Sequence, residues 1–354
     1  MKFIHIADVH LGMQPDKGMP WSELRKEEIK ETFFNLLEIC NREAVDFLFI
    51  AGDLFHNQPL VRDIKEINYG FSKLNRTKVI IIAGNHDYIN ERSHYINFQW
   101  CEQVFMLDNE KLDSLYFPEH NTRVYGFSYH QRDILEAKYT NAYPEDKECI
   151  NILIAHGGDE KDIPIDKNNL KSLGYDYVAL GHIHKQEFIT DRIAYSGSLE
   201  PLDKNETGRH GYIIGDIQKD MEGNKSDISF IPLAKREYIH LEVEVEPDMT
   251  NGKILDFIKG KVAEIGEYNI YKLILKGIRD SENEIDINSL YDIGNIIQVM
   301  DTTVPDYDFS ELYYMNKDNI IGMYIESIRR TGLEDEIADK ALYYGIEALL
   351  KAKG

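Results

Sequence analysis

The chain has 354 residues, with 40 Lys and Arg against 62 Asp and Glu, a formal net charge of −22. That balance argues against a simple basic-patch nucleic-acid binder, although a bound cation attracts phosphate locally. Hydrophobic residues at 43% and aromatics at 11% exclude a disordered chain, while Cys40, Cys101 and Cys149, without CxxC spacing, argue against a disulfide framework or a cysteine zinc site.

In chain order, Lys2–Ile6 reads as a strand, Ser22–Glu43 as a long helix and Asp46–Ala51 as a second strand. Leu60, Ile64, Ile67, Phe71 and Leu74, spaced 4-3-4-3, predict a helix over 60–75, and Lys78–Ala83 predicts a third strand. Strand–helix–strand alternation with short connections implies a largely parallel sheet. The strands are almost wholly apolar, as expected when helices or another sheet cover both faces.

From Val104 the strands come closer together: Arg123–Phe127, Ile150–Ala155, Asp176–Leu180, Gln186–Ile189, Ile193–Tyr195, Gly211–Asp216 and Asp227–Pro232. They suit a second sheet packed on the first. A new α+β unit begins near residue 236, with strand Tyr238–Glu246, helix Asn251–Ile265, strand Asn269–Lys276 and a strand near Ile296–Val304. Helical segments Leu312–Arg330 and Leu333–Lys351, split at Gly332, close the chain. The expected domains are therefore 1–235, 236–310 and 311–354. Residues 237–354 carry 12 basic and 24 acidic side chains, a poor surface for docking DNA unaided. The start, Met1–His10, has one Lys and an apolar stretch broken by His5 and Asp8, and no apolar run approaches ~20 residues. A soluble, cytoplasmic protein without membrane attachment is expected.

Five segments share one design, in which a strand ends, a Gly or small residue turns the chain, and Asp, Asn or His projects. They are Asp8-Val9-His10, Gly52-Asp53-Leu54-Phe55-His56, Gly84-Asn85-His86-Asp87, His156-Gly157 and Gly181-His182-Ile183-His184, and they contain six of the twelve histidines. Side chains at the carboxyl ends of neighbouring strands converge on one crevice. The donors are imidazole, carboxylate and amide oxygen without thiolate, which suits Mn, Fe, Zn or a similar divalent ion. Two Asp, one Asn and four His are too many for one zinc and enough for two metals sharing a carboxylate. Two cations about 3.5–4 Å apart clamp a phosphoryl oxygen and activate water.

These motifs, in this order, resemble the calcineurin-like metallophosphoesterase superfamily over residues 8–184. Within it the chain is most similar to the SbcD-type DNA double-strand-break repair nucleases. The resemblance rests on Lys2-Phe-Ile-His-Ile-Ala-Asp-Val-His-Leu-Gly12, Ala51-Gly-Asp-Leu-Phe-His56 and Gly84-Asn-His-Asp87. Tyr195-Ser-Gly-Ser-Leu-Glu-Pro201 resembles a Tyr-Pro-Gly-Ser element of that branch, with Ser196 in place of Pro. It covers about the first 235 residues; the rest matches in position and general architecture only.

The resemblance implies an α/β fold, a two-sheet αββα sandwich with a small α+β capping domain and a helical C-terminal tail. It implies that Asp8, His10, Asp53 and His184 hold one metal, and that Asp53, Asn85, His156 and His182 hold the other, with Mn²⁺ the expected pair. It assigns His86 as the acid that protonates the leaving oxygen, Asp87 as the group that orients it, and His56 as a second non-ligand that steadies the phosphate. The implied activity is 3′→5′ exonuclease and endonuclease cleavage of DNA in repair, with an SbcC-type coiled-coil ATPase docked on the tail. A homodimer through the helices after the second and third motifs is implied as well.

Simpler readings stand beside these. Each histidine alone is as readily a core or turn residue, and His5, mid-strand in an apolar run, is read as core. The helix 60–74 stripe is explained by core packing alone. The tail stripes Ile320, Ile321, Tyr324, Ile328 and Ile337, Ala341, Tyr344, Ala348 would pack on their own domain or on each other. A small-molecule phosphodiesterase or phosphatase is the alternative enzyme, and a scaffold without catalysis is the non-enzyme alternative. Asp87 in place of Glu, and no Arg after the Asp53 segment, disfavour a protein Ser/Thr phosphatase.

Overall fold

In the computed structural model, which describes residues 1–220 and 223–353, the chain divides into two compact units, Met1–Tyr238 and Ile239–Gly354. The first unit begins with β1 (Lys2–Ile6), α1 (Ser22–Arg42), β2 (Phe47–Ala51), α2 (Val61–Phe71) and β3 (Lys78–Ile82). A one-turn α3 (His94–Asn97), β4 (Val104–Met106), β5 (Asp113–Phe117), β6 (Thr122–Gly126) and β7 (Ile150–His156) follow. Then come α4 (Lys167–Ser172), β8 (Tyr177–Gly181), β9 (Glu187–Thr190), β10 (Ile193–Tyr195), β11 (Gly211–Asp220) and β12 (Gly223–Pro232).

Two six-stranded sheets form, ordered β12-β11-β1-β2-β3-β4 and β5-β6-β7-β8-β10-β9. Strands β1 to β4 run parallel, with Phe3 opposite Phe47 and Phe47 opposite Lys78. The period-2 geometry of a strand explains why these runs are apolar throughout. Ile4, Ile6, Leu48, Ile50, Val79 and Ile81 face α1 and α2 through Ile29, Phe33, Ile64 and Phe71. The intervening Phe3, Phe47, Phe49, Ile80 and Ile82 pack on Ile152, Ile154, Tyr177 and Ala179 of the second sheet. Mid-strand His5 is buried as expected, its Nδ1 2.9 Å from the Tyr177 hydroxyl.

The expected sandwich is thus present, with one correction. β11 and β12 do not join the second sheet; β11 pairs antiparallel with β1, Lys2 opposite Asp216, and closes the first. The short β4 and β5, which carry no long apolar run, were not separable from loop by pattern alone.

A buried ionic network fastens α1 to two later segments. The Arg25 guanidinium donates to Glu28 (2.6 Å), Glu200 (3.1 Å) and the Pro201 carbonyl (2.8 Å). Glu200 also accepts from Thr32 (2.6 Å) and the Lys235 amide (2.7 Å), and Arg236 donates to Glu28 (2.8 Å). Pairing both terminal nitrogens of Arg25, with its Nε left without a hydrogen bond, is what makes such charges tolerable away from water.

The second unit contains β13 (Tyr238–Val245, which starts at the boundary residue), α5 (Asn251–Ile265), β14 (Ile270–Arg279), α6 (Ile287–Leu290), β15 (Ile296–Asp301) and β16 (Val304–Pro305). The helices α7 (Phe309–Met315), α8 (Ile320–Arg330) and α9 (Asp335–Lys353) follow. The expected helix 312–330 is two helices, because the Asn319 side chain caps α8 by accepting from the Ile321 amide. Ile321, Ile325, Leu342 and Ile346 form a small core of their own, leaving Ile320, Ile337 and Tyr344 exposed.

Candidate metal centre

Asp8 and His10 follow β1, Asp53 follows β2, Asn85 and His86 follow β3, His156 ends β7, and His182 and His184 follow β8. All stand at the carboxyl ends of neighbouring parallel strands. Asp8 (φ 52°), His10 (φ 51°), Asp53 (φ 51°) and His182 (φ 94°) have positive φ, which costs about 1–2 kcal/mol each and which Asp, Asn and His tolerate better than most residues. Backbone packing is equally tight. A Cβ on Gly52 would lie 2.2 Å from His156 Nδ1, and one on Gly84 would lie 2.3 Å from an Asp53 oxygen.

Six of the seven expected donors gather in two sets around Asp53, whereas the His182 ring groups with Asp159 and Asp162. His10 Nε2 lies 3.2 Å from His184 Nε2 and 3.6 Å from Asp53 Oδ2. On the other side, His156 Nε2 lies 2.9 Å from Asn85 Oδ1 and 3.5 Å from the same Asp53 oxygen. Asp8 reaches both, grouping with His10 and His184 and again with Asp53 and His156. His182 gives its backbone N–H to the Asp8 carboxylate (2.9 Å), while its Nε2 is 3.0 Å from Asp159 Oδ2.

These donors fit a pair of divalent cations. The His156 Nδ1–H donates to the Ala51 carbonyl (2.8 Å) and the His184 Nδ1–H to Glu206 (2.7 Å). Each neutral imidazole is thereby held with the Nε2 lone pair toward other lone pairs, a convergence that needs a positive charge at its centre. Without a metal that charge is a proton. Burial opposes a charge on His156 but the neighbouring Asp53 outweighs it, pushing the ring up to about 9. At His184 burial is likewise outweighed, chiefly by Glu206, and the ring is raised to about 9. Burial pushes Asp8 upward against the pull of the surrounding histidines. Cation binding exchanges such protons for metal.

His86 and His56 stand beside the first set. Their rings stack at 5.1 Å, and His86 is edge-on to His10 at 4.7 Å. The His86 Nδ1–H donates to the His56 carbonyl (3.0 Å), so that carbonyl, and not Asp87 as expected, orients the ring. The Asp87 carboxylate is buried and turned elsewhere: it accepts from the Phe55 amide (3.1 Å), the Gly84 amide (2.8 Å) and the Tyr95 hydroxyl (2.7 Å). Burial pushes Asp87 up to about 6. It braces the second and third motifs against each other. His56 adds a contact the sequence did not suggest, with its Nδ1 3.3 Å from His10 Nδ1.

Glu206, Asp159 and Tyr95 escaped the sequence reading. Each lies in an irregular segment or one-turn helix, without spacing that ties it to the motif it supports.

Comparison with known proteins agrees with this geometry. The calcineurin-like phosphoesterase family profile matches residues 1–186, more than half of the chain. The chain belongs to this family. As a calcineurin-like phosphoesterase it is 29% identical over 250 residues to the uncharacterized metallophosphoesterase YhaO of Bacillus subtilis, covering 63% of this chain and 60% of that protein. The DNA double-strand break repair protein Mre11 of Methanopyrus kandleri is 29% identical over 246 residues, covering 59% and 52%. Mre11 of Sulfolobus acidocaldarius is 25% identical across 96% of this chain and 90% of its own length. The chain thus spans less than two-thirds of YhaO and of the Methanopyrus protein. Among the described residues, no helix is long and apolar enough to cross a membrane.

Proposed function

We propose that this calcineurin-like phosphoesterase is a metal-dependent hydrolase of DNA phosphodiester bonds in repair, a 3′→5′ exonuclease with endonuclease activity. The observation that carries the reading is one buried carboxylate, Asp53, shared between two sets of O/N donors with His86 alongside. Asp8, His10, Asp53 and His184 would hold one cation and Asp53, Asn85, His156 and His182 the other, with Mn²⁺ as the pair. The cations would supply Lewis acidity toward phosphate oxygens and activation of water near neutral pH.

The protein's own groups do the rest. Because the His86 Nδ1–H is committed to the His56 carbonyl, the proton that a charged His86 can release sits on Nε2. His86 gives that proton to the departing oxygen, a role worth about 10²–10⁴ in rate. His56, stacked on His86, steadies the phosphate, and Asp87 keeps both loops in place through their amides. A cleft of about 370 Å³ opens next to the residues following His10 and His56, with Lys26, Lys30 and Arg62 among acidic neighbours in its wall. It supports a substrate that extends beyond a single phosphate.

The partner in this reading is an SbcC-type coiled-coil ATPase, docked on the tail from residue 311, and residues 236–310 form the cap. Exposed Tyr314, Met315, Ile320 and Met323 support tail docking, and exposed Leu60, Tyr69 and Ile96 support a homodimer through α2 and α3. A cytoplasmic location completes the reading.

One assay tests it: linear duplex DNA labelled at either end, a cyclic nucleotide and an aryl phosphodiester, each with Mn²⁺ and with chelator. Metal-dependent shortening of DNA from its 3′ ends is expected. Turnover confined to the cyclic nucleotide would move the chain to the small-molecule alternative, and full activity in metal-free protein would end the dimetal reading.

A further inference from the structure

We infer that Asp159 is the positioning residue for His182, fixing which ring nitrogen that histidine offers to the metal centre. The inference rests on the dimetal reading above and concerns the segment 157–163, which follows His156.

The segment is built to present one carboxylate. Gly157 and Gly158 both have φ of 139°, where L side chains are strained. A Cβ on Gly157 would lie 2.6 Å from the Asp162 carbonyl, and one on Gly158 would lie 2.3 Å from the Tyr195 hydroxyl. The turn they allow is closed by the Gly158 N–H to the Asp162 carbonyl (2.9 Å). Asp159 Oδ1 accepts the amides of Lys161 (2.8 Å) and Asp162 (2.9 Å), so one oxygen of the carboxylate is spent on its own turn. The other, Oδ2, lies 3.0 Å from His182 Nε2, and the buried Asp162 adds a second carboxylate oxygen 3.8 Å from the same nitrogen.

A carboxylate with one oxygen locked to backbone cannot swivel. It accepts the Nε2–H of a neutral His182 and so leaves the lone pair on Nδ1, a nitrogen without a hydrogen bond among the described residues. His184 is treated in the same way by Glu206 but with the nitrogens exchanged: its Nδ1–H is bound and Nε2 faces His10. The two histidines of one Gly-His-Ile-His motif are thus held in opposite tautomers by two carboxylates from outside it. A carboxylate behind a metal-bound imidazole fixes tautomer and orientation, and its loss weakens metal binding about 10–100-fold.

The test is Mn²⁺ binding to the full chain, followed by titration calorimetry and by electron paramagnetic resonance, which separates coupled from isolated ions. Asp159→Asn keeps the turn-capping oxygen but replaces the acceptor facing His182 with a donor. The expected result is two ions in the parent, and in Asp159→Asn one ion bound as before and the second weakened roughly 10–100-fold, with an isolated-ion spectrum at limiting metal. The melting temperature of the metal-free protein should not change, and Asp159→Glu should recover part of the second affinity. Two ions bound to Asp159→Asn with parental affinities would overturn the inference. So would a third ion in the parent that Asp159→Asn loses, which would make Asp159 a ligand in its own right. Asp53→Asn, which should lose the coupled pair, is the control, and a parent chain that binds no coupled pair would end the dimetal reading itself, independently of Asp159.

Discussion

His5 should make the fold acid-labile, by an amount that can be worked from its surroundings. Its ring is fully buried between the sheets, and that burial, against a smaller opposing pull from the Leu180 backbone, lowers it from 6.5 to about 3. Between those values the unfolded chain binds a proton that the folded chain refuses. The stabilisation is therefore fully present above pH 6.5 and is lost as pH falls toward 3. From pH 7 to pH 5 the group crosses about 1.5 units below its unfolded value, which at 1.36 kcal/mol per unit costs about 2 kcal/mol. For a unit of this size that is roughly 4–8 °C in melting temperature. Other groups titrate over the same range, so the readout is a difference in slope. The double change His5→Phe with Tyr177→Phe removes both ends of the buried hydrogen bond without orphaning either. Thermal melts of the metal-free parent and the double variant, from pH 5 to pH 7, should diverge by that amount, with the parent losing more. Parallel curves would refute the assignment of a buried neutral imidazole.

Three further outcomes follow from the geometry. His86→Ala should retain both metals by elemental analysis yet lose about 10²–10⁴ in single-turnover rate; parallel loss of metal would make His86 a ligand. Gly181→Ala should destabilise on the order of 3 kcal/mol in a chemical melt, because its Cβ would stand 1.9 Å from the Ala51 carbonyl, backbone that carries β2 into the Asp53 turn. Cutting the chain before Tyr307, so that the whole tail cluster leaves together, should abolish co-purification with the ATPase partner proposed above while aryl phosphodiester hydrolysis continues near the parent rate. A cut at Leu312 should instead aggregate, since Tyr307 and Phe309 pack on that cluster and would be stranded.

The sequence carried the strand-end motifs well, for a physical reason. A parallel strand buried on both faces is a short apolar run, and the residue that turns the chain at its end is Gly or a left-handed Asp or His. Asp8, Asp53 and Gly84-Asn85 therefore announce themselves locally. What packs against them does not. Glu206 meets His184 from an irregular segment 22 residues away, and β11 joins β1 across more than 200 residues; neither has a period or spacing to read. The role that the resemblance implies for Asp87 does not hold in this structure, because its side chain is taken by the Phe55 and Gly84 amides and the Tyr95 hydroxyl. In the tail, Ile320 and Ile321 were both in the predicted stripe. Only the cap at Asn319, which sets where α8 begins, decides that Ile321 turns inward.

The left-handed backbone at Asp8, His10 and Asp53 also limits how this centre can evolve. A longer or β-branched donor at those positions would meet a conformation it tolerates poorly, besides reaching the wrong distance. Glutamate, the commonest conservative exchange for aspartate, is thus disfavoured twice over at the shared carboxylate. Drift in metal preference along this lineage should therefore leave those three letters alone. It should accumulate instead at Glu206, Asp159 and the residues behind them, where the backbone is ordinary and a change alters the basicity of an imidazole without removing it.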